Sequence, residues 1–241
     1  MLGRLWHILP GNHFNMKFDQ VTNIWREIEV GLVKQEWGKD FIGKKVLDLG
    51  CGEGEIAKEV FGGKCNKGQS FVTGLDNDEG MVRKARKSGV YKEVVLADAG
   101  EMPFADGEFE VMFSNSVLEH ISKLERVLRE VSRVLKPGGL LVATMPSDQL
   151  ISYIGWGKLY GFLFNKKYNH YHLYSREKWV SLLKKFGLKL VDSYYYLDTK
   201  TIGEWHKCLW LNKLGISFKV EKRKFMRLKS GAALAIKVRK L

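Results

Sequence analysis

The stretch that decides the fold covers residues 44–60 and reads KKVLDLGCGEGEIAKEV. An apolar run ends at Asp48 and Leu49, glycines follow at 50, 52 and 54, and a helical pattern begins directly after them. Small residues let the backbone turn sharply and approach a ligand closely, and the first turn of a helix offers free N–H groups. The stretch therefore predicts a strand, a tight turn that contacts a ligand, and a helix. A tight turn that binds nothing is the plain alternative.

Short apolar runs and helical stretches alternate along the chain on the C-terminal side of this turn. Five runs are predicted strands: Lys45–Leu49, Phe71–Leu75, Glu93–Ala97, Phe109–Phe113 and Leu140–Met145. The predicted helices between them are Ile56–Phe61, Glu79–Lys87 and Ser122–Leu135, and the last begins with a capping-box signature, Ser122 with Glu125. Runs that are apolar on both faces are typical of a parallel sheet covered by helices. The pattern predicts an α/β fold with a doubly wound, mostly parallel sheet.

The chain of 241 residues is predicted to form a single domain with extra segments around its core. The predicted parts of the domain, in chain order, are an N-terminal helical cap (1–40, with a helix over 19–37), a core (41–146), an aromatic-rich lid (147–174), a core helix and strand (175–199), a basic and irregular insertion (200–230) and a final strand (231–241). The chain shows no internal repeat and no low-complexity linker, so one domain with two insertions is expected.

Acidic residues end three successive predicted strands. Asp48 precedes the first glycine by two residues, and a carboxylate there suits a ligand with a cationic amine better than a pyrophosphate, which it would repel. Asp76 ends the second strand, where a carboxylate accepts both hydroxyls of a ribose. Asp98 ends the third strand and is placed to accept from an adenine amino group beside the N–H of Ala99. Each aspartate alone is more often a cap, but the three together with the glycine turn indicate a nucleoside ligand.

With these motifs in place, the sequence resembles the class I S-adenosylmethionine-dependent methyltransferases. It looks most like the broad group that contains the quinone-biosynthesis methyltransferases. The matching pieces are VLDLGCGEG, GLDND, ADAGEMPF, FEVMFSNSVLEHI and LREVSRVLKPGGLLVATMP, within residues 44–146. The resemblance implies a Rossmann-like sheet of seven strands whose last strand is antiparallel, with helices on both faces.

The resemblance also implies S-adenosyl-L-methionine as the cofactor and a set of residues that bind it. Gly50, Gly52 and Gly54 would surround the methionine portion, with Asp48 near its ammonium group. Asp76 would hold the ribose, Asn77 and Met81 would pack near the adenine, and Asp98 with Ala99 would read its edge. Cys51 in the turn, and Ser114 and Asn115 at the end of the fourth strand, complete the predicted set.

Candidate catalytic residues follow the fourth strand. Methyl transfer from a sulfonium mainly requires alignment, and a hydroxyl acceptor is helped by a nearby base. His120 titrates in the useful range, with Glu119 beside it, although a histidine that only fixes the following helix is the alternative. Some related quinone O-methyltransferases carry Glu-x-x-Glu-His here and are associated with a divalent metal. This sequence has Ser116 at the first Glu position, so we predict no metal.

Acceptor specificity is expected from the segments outside the core. His170 and His172 precede the helix that begins near Ser175 and are candidate substrate contacts, as is Trp156. Aromatic and apolar residues recur at helical spacing within the lid: Tyr153, Trp156, Tyr160, Leu163 and Phe164. This pattern predicts either a lid helix that buries its face on the domain or a helix that lies at a membrane interface. The expected partner is a small-molecule acceptor, hydrophobic or lipid-linked.

Charge leaves the partner open. The net charge is +13, and residues 200–241 contain twelve Lys or Arg and two Glu, a net charge of +10. Such a region attracts anionic lipid or nucleic acid, or is simply a solvated face. The motif after the fourth strand, Ser-Asn-Ser-Val, lacks the pattern of base-amino methyltransferases, so nucleic acid is not favoured. An RNA or protein methyltransferase and a non-catalytic cofactor-binding partner protein are the alternative functions.

Cysteine content and hydropathy indicate the compartment. Three cysteines, Cys51, Cys65 and Cys208, form no C-x-x-C pair, so no disulfide framework is expected. The N-terminus lacks a secretory pattern, and the most apolar stretch, residues 150–164, is shorter than the roughly 20 residues of a spanning helix. The sequence predicts a cytoplasmic protein, with peripheral contact to an anionic membrane as an open alternative.

Overall fold

Seven strands form one sheet in the order β3-β2-β1-β4-β5-β7-β6. The computed structural model describes residues 16–62, 71–154, 157–213 and 226–241. The strands are β1 (Lys45–Leu49), β2 (Phe71–Asp76), β3 (Glu93–Leu96), β4 (Phe109–Asn115), β5 (Leu135–Pro146), β6 (Leu188–Tyr196) and β7 (Ala233–Lys240). Strands β1 to β5 pair in parallel, whereas β7 is antiparallel to both β5 and β6. The sheet confirms the predicted Rossmann-like fold with an antiparallel last strand.

Helices cover both faces of this sheet. They are α1 (Met16–Trp37), α2 (Glu55–Phe61), α3 (Glu79–Lys87), α4 (Leu124–Val134), α5 (Leu150–Ile154), α6 (Gly157–Tyr168), α7 (Arg176–Lys184) and α8 (Thr199–Lys213). Alternate residues of one strand enter opposite cores: Val46 joins the core under α1 and α2, and Leu47 joins the core under α4 and α7. This alternation follows from the two-residue period of a strand.

Helix α1 occupies the predicted N-terminal cap because its sequence has an apolar stripe. Ile28, Leu32 and Val33 recur at helical spacing and are all buried against the first core. The helix contacts both α2 and α8. As a result α1 and α8, which are far apart in sequence, lie side by side near the sheet.

Two local predictions are wrong. Helix α4 begins at Leu124 after Lys123, whose side chain makes no cap hydrogen bond, so the capping box of Ser122 and Glu125 does not form. A 3-10 helix over Leu118–His120 and an extended Ile121 precede α4. Because of this backbone conformation, the helix begins two residues later than predicted. The basic insertion, predicted to be irregular, contains α8, whose Ile202 and Cys208 are buried through contacts with distant helices.

Among the helices of the described ranges, none is both long enough and apolar enough to span a bilayer.

Candidate functional site

A cavity of about 590 Å³ opens at the carboxyl ends of the parallel strands. Its lining includes one residue at or just beyond the end of each of four strands: Leu49, Asp76, Ala97 and Ser116. The strand order reverses between β1 and β4, and ligands of open α/β sheets bind outside such a switch point. We call this space the strand-end cavity. Its position makes it the candidate functional site.

The glycine turn reaches the strand-end cavity through its first residue, Gly50. Gly50, Gly52 and Gly54 have φ values of +73°, +54° and +88°, which side chains rarely tolerate. A Cβ atom on Gly50 would overlap the side chain of Val117, which follows β4. The N–H groups of Gly50 and Cys51 donate to the Leu75 carbonyl at 2.8 and 3.0 Å. The turn is therefore held between the ends of β2 and β4.

Asp76 connects this turn to the end of β2. Its Oδ2 accepts from the Gly52 N–H at 2.9 Å, and its Oδ1 accepts from the Asp78 N–H at 3.0 Å. Burial raises the pKa of this carboxyl group, and the two N–H donors oppose the rise. Each carboxylate oxygen has a second lone pair, so Asp76 retains acceptor capacity for a diol. With Asn77, Asp78, Asp98 and Ala99 it lines what we call the acidic half of the cavity.

Asp48 is buried and does not line the cavity. The Tyr91 hydroxyl donates to its Oδ2 at 2.7 Å. Burial raises the pKa of Asp48 to about 7, while the bond from Tyr91 lowers it. Burial likewise raises the pKa of the neighbouring Cys51 thiol, so that the group is held as the neutral thiol. These groups support the glycine turn from the protein interior.

The twelve predicted cofactor residues divide into those that line the cavity and those that do not. Five line the cavity: Gly50, Asp76, Asn77, Asp98 and Ala99. Seven do not: Asp48, Cys51, Gly52, Gly54, Met81, Ser114 and Asn115. Met81 is buried core on α3, and its N–H donates to the capping Asp78 at 3.0 Å. The Gly100 N–H donates to Asp98 at 2.6 Å, which fixes that carboxylate at the rim.

Aromatic side chains from three helices also line the cavity. Trp25 of α1 and Trp205 of α8 lie with ring centroids 5.3 Å apart, and Phe164 of α6 lies 6.3 Å from Trp205. Leu150 and Tyr168 complete this wall, which we call the aromatic half. The sequence does not identify Trp25, Leu150 and Trp205 as site residues, because helical spacing is typical of core residues. No sequence signal separates a core tryptophan from one that lines a cavity.

Arg26 brings a positive charge to the cavity and was also missed. Its Nη1 lies 2.6 Å from Asn115 Oδ1 and 3.3 Å from Ser116 Oγ, and it pairs with Glu29 at 2.8 Å. The Tyr196 hydroxyl donates to the other oxygen of the buried Glu29 at 2.5 Å. This network links α1 to the ends of β4 and β6, so Asn115 acts here through Arg26.

Glu119 and His120 lie together at the cavity. Glu119 is 1% exposed, and its Oε2 lacks a hydrogen-bond partner among the described residues. Burial raises the pKa of Glu119 to about 8. Burial also lowers the pKa of His120, whose Nε2 lies 3.6 Å from Glu119 Oε1. At pH 7 the two groups are therefore a neutral pair and not an ion pair.

The histidines of the lid occupy two different places. His170 lines the cavity, its ring centroid lies 5.1 Å from that of His120, and burial lowers its pKa to about 3. His172 does not line the cavity; its Nε2 lies 2.8 Å from the Ile121 carbonyl and its Nδ1 lies 3.0 Å from the Tyr174 hydroxyl. These two contacts give His172 a role in fixing the loop. Trp156 lies outside the described residues.

A metal site was not expected. Across the part of the chain that is described, no three His, Cys, Asp or Glu side chains cluster in a way that would hold a metal ion. That the reaction uses no metal stays a prediction.

Comparison with known proteins places this chain in a family. A family model described as "Methyltransferase domain" matches residues 47–143. A protein of Encephalitozoon cuniculi that is named as a methyltransferase is 32% identical over 162 residues, which cover 61% of this chain and 71% of the relative. A malonyl-[acyl-carrier protein] O-methyltransferase of Legionella pneumophila is 32% identical over 130 residues, 53% of this chain and 45% of the relative. The chain thus spans about half the length of this relative.

A solved structure supports the same assignment at the level of the fold. An S-adenosylmethionine-dependent methyltransferase of Thermotoga maritima matches with a TM-score of 0.62 and 20% identity over 94% of each chain. This chain belongs to the class I S-adenosylmethionine-dependent methyltransferases, a family of enzymes whose cofactor is S-adenosyl-L-methionine.

Proposed function

We propose that this chain transfers the methyl group of S-adenosyl-L-methionine to a small hydrophobic or lipid-linked acceptor. The observation that carries the proposal is the continuity of the strand-end cavity, which joins the acidic half to the aromatic half. A carboxylate-rich wall suits a nucleoside with a cationic side chain, and a wall of Trp25, Phe164 and Trp205 suits an apolar acceptor. One cavity that accommodates both reactants supplies the proximity that methyl transfer requires.

The acidic half is the proposed cofactor site. Asp76 accepts hydrogen bonds from the ribose hydroxyls, and Asp98 and Ala99 form hydrogen bonds with the edge of the adenine. Gly50 and Asn77 complete the contact with the cofactor. Asp48 and Gly52 act one step away, because Asp48 supports the turn and Gly52 donates to Asp76. When bound, the cofactor supplies an activated methyl group on a sulfonium centre.

His120 is the proposed general base for a hydroxyl or phenol acceptor. Its Nδ1 lies 3.3 Å from the Asn169 carbonyl, and a proton donated there leaves the lone pair on Nε2. Because burial lowers its pKa, the imidazole is neutral and able to accept a proton at pH 7. An acceptor hydroxyl that gains the methyl group supplied by the bound cofactor would pass its proton to Nε2 of His120, and the positive charge of the sulfonium would be lost with the methyl group. Glu119 and His170 lie beside the base, and the positive charge of Arg26 also lowers the pKa of His120.

The acceptor is proposed to be reached at the surface of an anionic membrane, from the cytoplasmic side. A hydrophobic acceptor partitions into lipid, and a strongly basic chain is attracted to anionic headgroups. Peripheral contact of this kind needs no spanning helix.

Calorimetric titration with S-adenosylmethionine and S-adenosylhomocysteine tests the cofactor site. We expect one-to-one binding that Asp76→Ala weakens by roughly 10- to 100-fold, since the ribose loses its acceptors and the Gly52 and Asp78 N–H groups lose theirs. Asp40→Ala is the matched control, because this aspartate pairs with Lys237 outside the cavity. The absence of binding to folded protein would contradict the proposal.

Transfer of a labelled methyl group to lipid extracts tests the acceptor and the base. With an acceptor in hand, activity should rise with pH through the pKa of His120, and His120→Gln should lower kcat by about 100-fold and abolish this rise without changing cofactor affinity. Tight cofactor binding with no methylation of lipid, RNA or protein fractions would favour a non-catalytic partner protein. Methylation of RNA or protein alone would favour those alternatives.

A further inference from the structure

Helix α6 is apolar on two opposite faces, and only one of them is covered. Its inner face packs on the domain: Phe164 is buried, the Tyr160 hydroxyl lies 2.6 Å from His206 Nε2, and a Cβ atom on Gly161 would overlap Ile151 of α5. Its outer face carries Leu159, Phe162 and Leu163, which are 74%, 64% and 53% exposed. A helix that is apolar all round is normally covered on all sides.

The three exposed side chains form one continuous surface. Residues at i, i+3 and i+4 project from the same side of a helix, so Leu159, Phe162 and Leu163 point outward together. We call these three residues the outer face of α6. Scattered single exposed apolar residues need no explanation, but large side chains grouped on one helix indicate contact with something apolar.

The helix that carries the outer face also lines the strand-end cavity. Helix α6 itself supplies Phe164, Lys167 and Tyr168 to the cavity lining, and Tyr171, 54% exposed, follows on the next loop. Whatever covers the outer face therefore binds the same helix that forms part of the aromatic half.

Positive charge borders the same region. Lys166 and Lys167 are exposed at the C-terminal end of α6. A second cavity, of about 500 Å³, shares Ser122, Lys123 and Arg126 with the first and is also lined by Lys178 and Lys185. Glu125 in this second cavity pairs with Lys185 at 3.3 Å, and Arg126 pairs with Glu101. Lys123 and Lys178 leave the second cavity with an excess of positive charge. Apolar side chains flanked by basic ones match the acyl chains and headgroups of an anionic bilayer.

We propose that the outer face of α6 is a membrane-docking surface that inserts into the acyl region of an anionic bilayer and holds the cavity mouth at the lipid surface. This inference rests on the proposed function, since it gives a lipid-borne acceptor a direct path into the aromatic half. A protein partner is disfavoured by area, because a stable interface covers about 800 Å² on each partner, far more than three side chains offer.

Co-sedimentation with two kinds of vesicle tests the surface: phosphatidylcholine alone, and phosphatidylcholine mixed with phosphatidylglycerol. The wild-type protein should bind the mixed vesicles and be released by salt. The triple variant Leu159→Gln/Phe162→Gln/Leu163→Gln should partition on the order of 100-fold less. The matched control is Phe71→Gln/Val191→Gln, which removes exposed apolar residues from β2 and β6 and should partition like the wild type.

Calorimetry with S-adenosylhomocysteine accompanies each variant, and unchanged affinity shows that the triple variant is folded. Equal partitioning of triple variant and wild type would overturn the proposal, and so would a wild type that binds no vesicles. A wild-type dimer that the triple variant converts to monomer, without vesicle binding, would assign the surface to a second copy of the chain. If cofactor binding and methylation fail while vesicle binding holds, the proposed function falls and the docking surface stands.

Discussion

Two buried carboxyl groups near the strand-end cavity, those of Asp48 and Glu119, show that the same chemical group can take different roles. Asp48 is compensated by the Tyr91 hydroxyl, whereas Glu119 has one oxygen with no partner in the described part of the structure. An uncompensated buried carboxylate is costly, so Glu119 retains its proton at neutral pH. Sequence position marked both residues as functional, but only their surroundings determine which charge each carries.

Glu119 should make the stability of the protein depend on pH. Its folded-state pKa of about 8 lies above the ordinary value of 4.5, so the native state holds this proton more tightly than the unfolded state. The resulting stability is complete below pH 4.5 and is lost as pH rises towards 8. Glu119→Gln should therefore gain stability relative to the wild type between pH 5 and pH 8, by about 2–4 kcal/mol at the upper end.

Urea unfolding of both proteins across this range measures the effect. Glu79→Gln is the control, because Glu79 is 71% exposed and its substitution should give a difference that is small and nearly independent of pH. A Glu119→Gln difference that stays constant with pH would contradict a protonated Glu119.

At the scale of elements, the junctions between them are the most constrained points. The glycine turn joins β1 to α2, and its Gly50 packs against Val117. Gly161 lies within α6 and packs against Ile151 of α5. The alternating strands and helices of the core could be predicted because their apolar periods are local. Helix α8 was missed because its burial depends on α1 and α5, which its own sequence does not specify.

Gly50 and Gly52 should differ in their tolerance of a side chain. Both have positive φ, so alanine costs about 1 kcal/mol of backbone strain at either position. A Cβ on Gly50 also overlaps Val117, while a Cβ on Gly52 meets no atom within 4 Å. Gly50→Ala should therefore be less stable than Gly52→Ala by about 2 kcal/mol in denaturant unfolding. The double variant Gly50→Ala/Val117→Ala should recover part of this loss, and no recovery would contradict the steric cause.

Gly161 should control the acceptor end of the cavity without affecting the cofactor end. Gly161→Ala forces α6 away from Ile151 and displaces the Phe164 wall. We expect KM for the acceptor to rise by roughly 10-fold while cofactor affinity is unchanged, because every residue of the acidic half lies outside α6. Ile151→Ala in the same chain should restore KM. An equal loss of cofactor affinity would show that the two halves are not separable.

At the scale of the whole molecule, the sheet positions one half of the site and the surrounding helices position the other. The acidic half lies on strand ends that the two cores hold rigidly, whereas the aromatic half is assembled from α1, α6 and α8. A ligand that bridges strand ends and helices should stabilise the fold as a unit.

S-adenosylhomocysteine should raise the stability of the whole chain by mass action. At about 100 times its Kd, it should add about 2.7 kcal/mol to the free energy of unfolding, which raises Tm by roughly 5–10 °C. Asp76→Ala should lose most of this shift at the same ligand concentration, and Asp40→Ala should retain it. Equal shifts in wild type and Asp76→Ala, measured by calorimetry, would place the ligand elsewhere.

The sequence by itself determined the sheet, the glycine turn and the acidic strand ends, because strand period, glycine and chain order act over short distances. Only the tertiary structure decided that Asp48 lies in the interior, that Arg26 reaches Asn115, and that Trp25 and Trp205 form one wall. Periodicity identifies an apolar face but not what covers it. For that reason the lid sequence predicted either a helix packed on the domain or a helix at a membrane interface. The structure shows that α6 has one buried apolar face and one exposed apolar face.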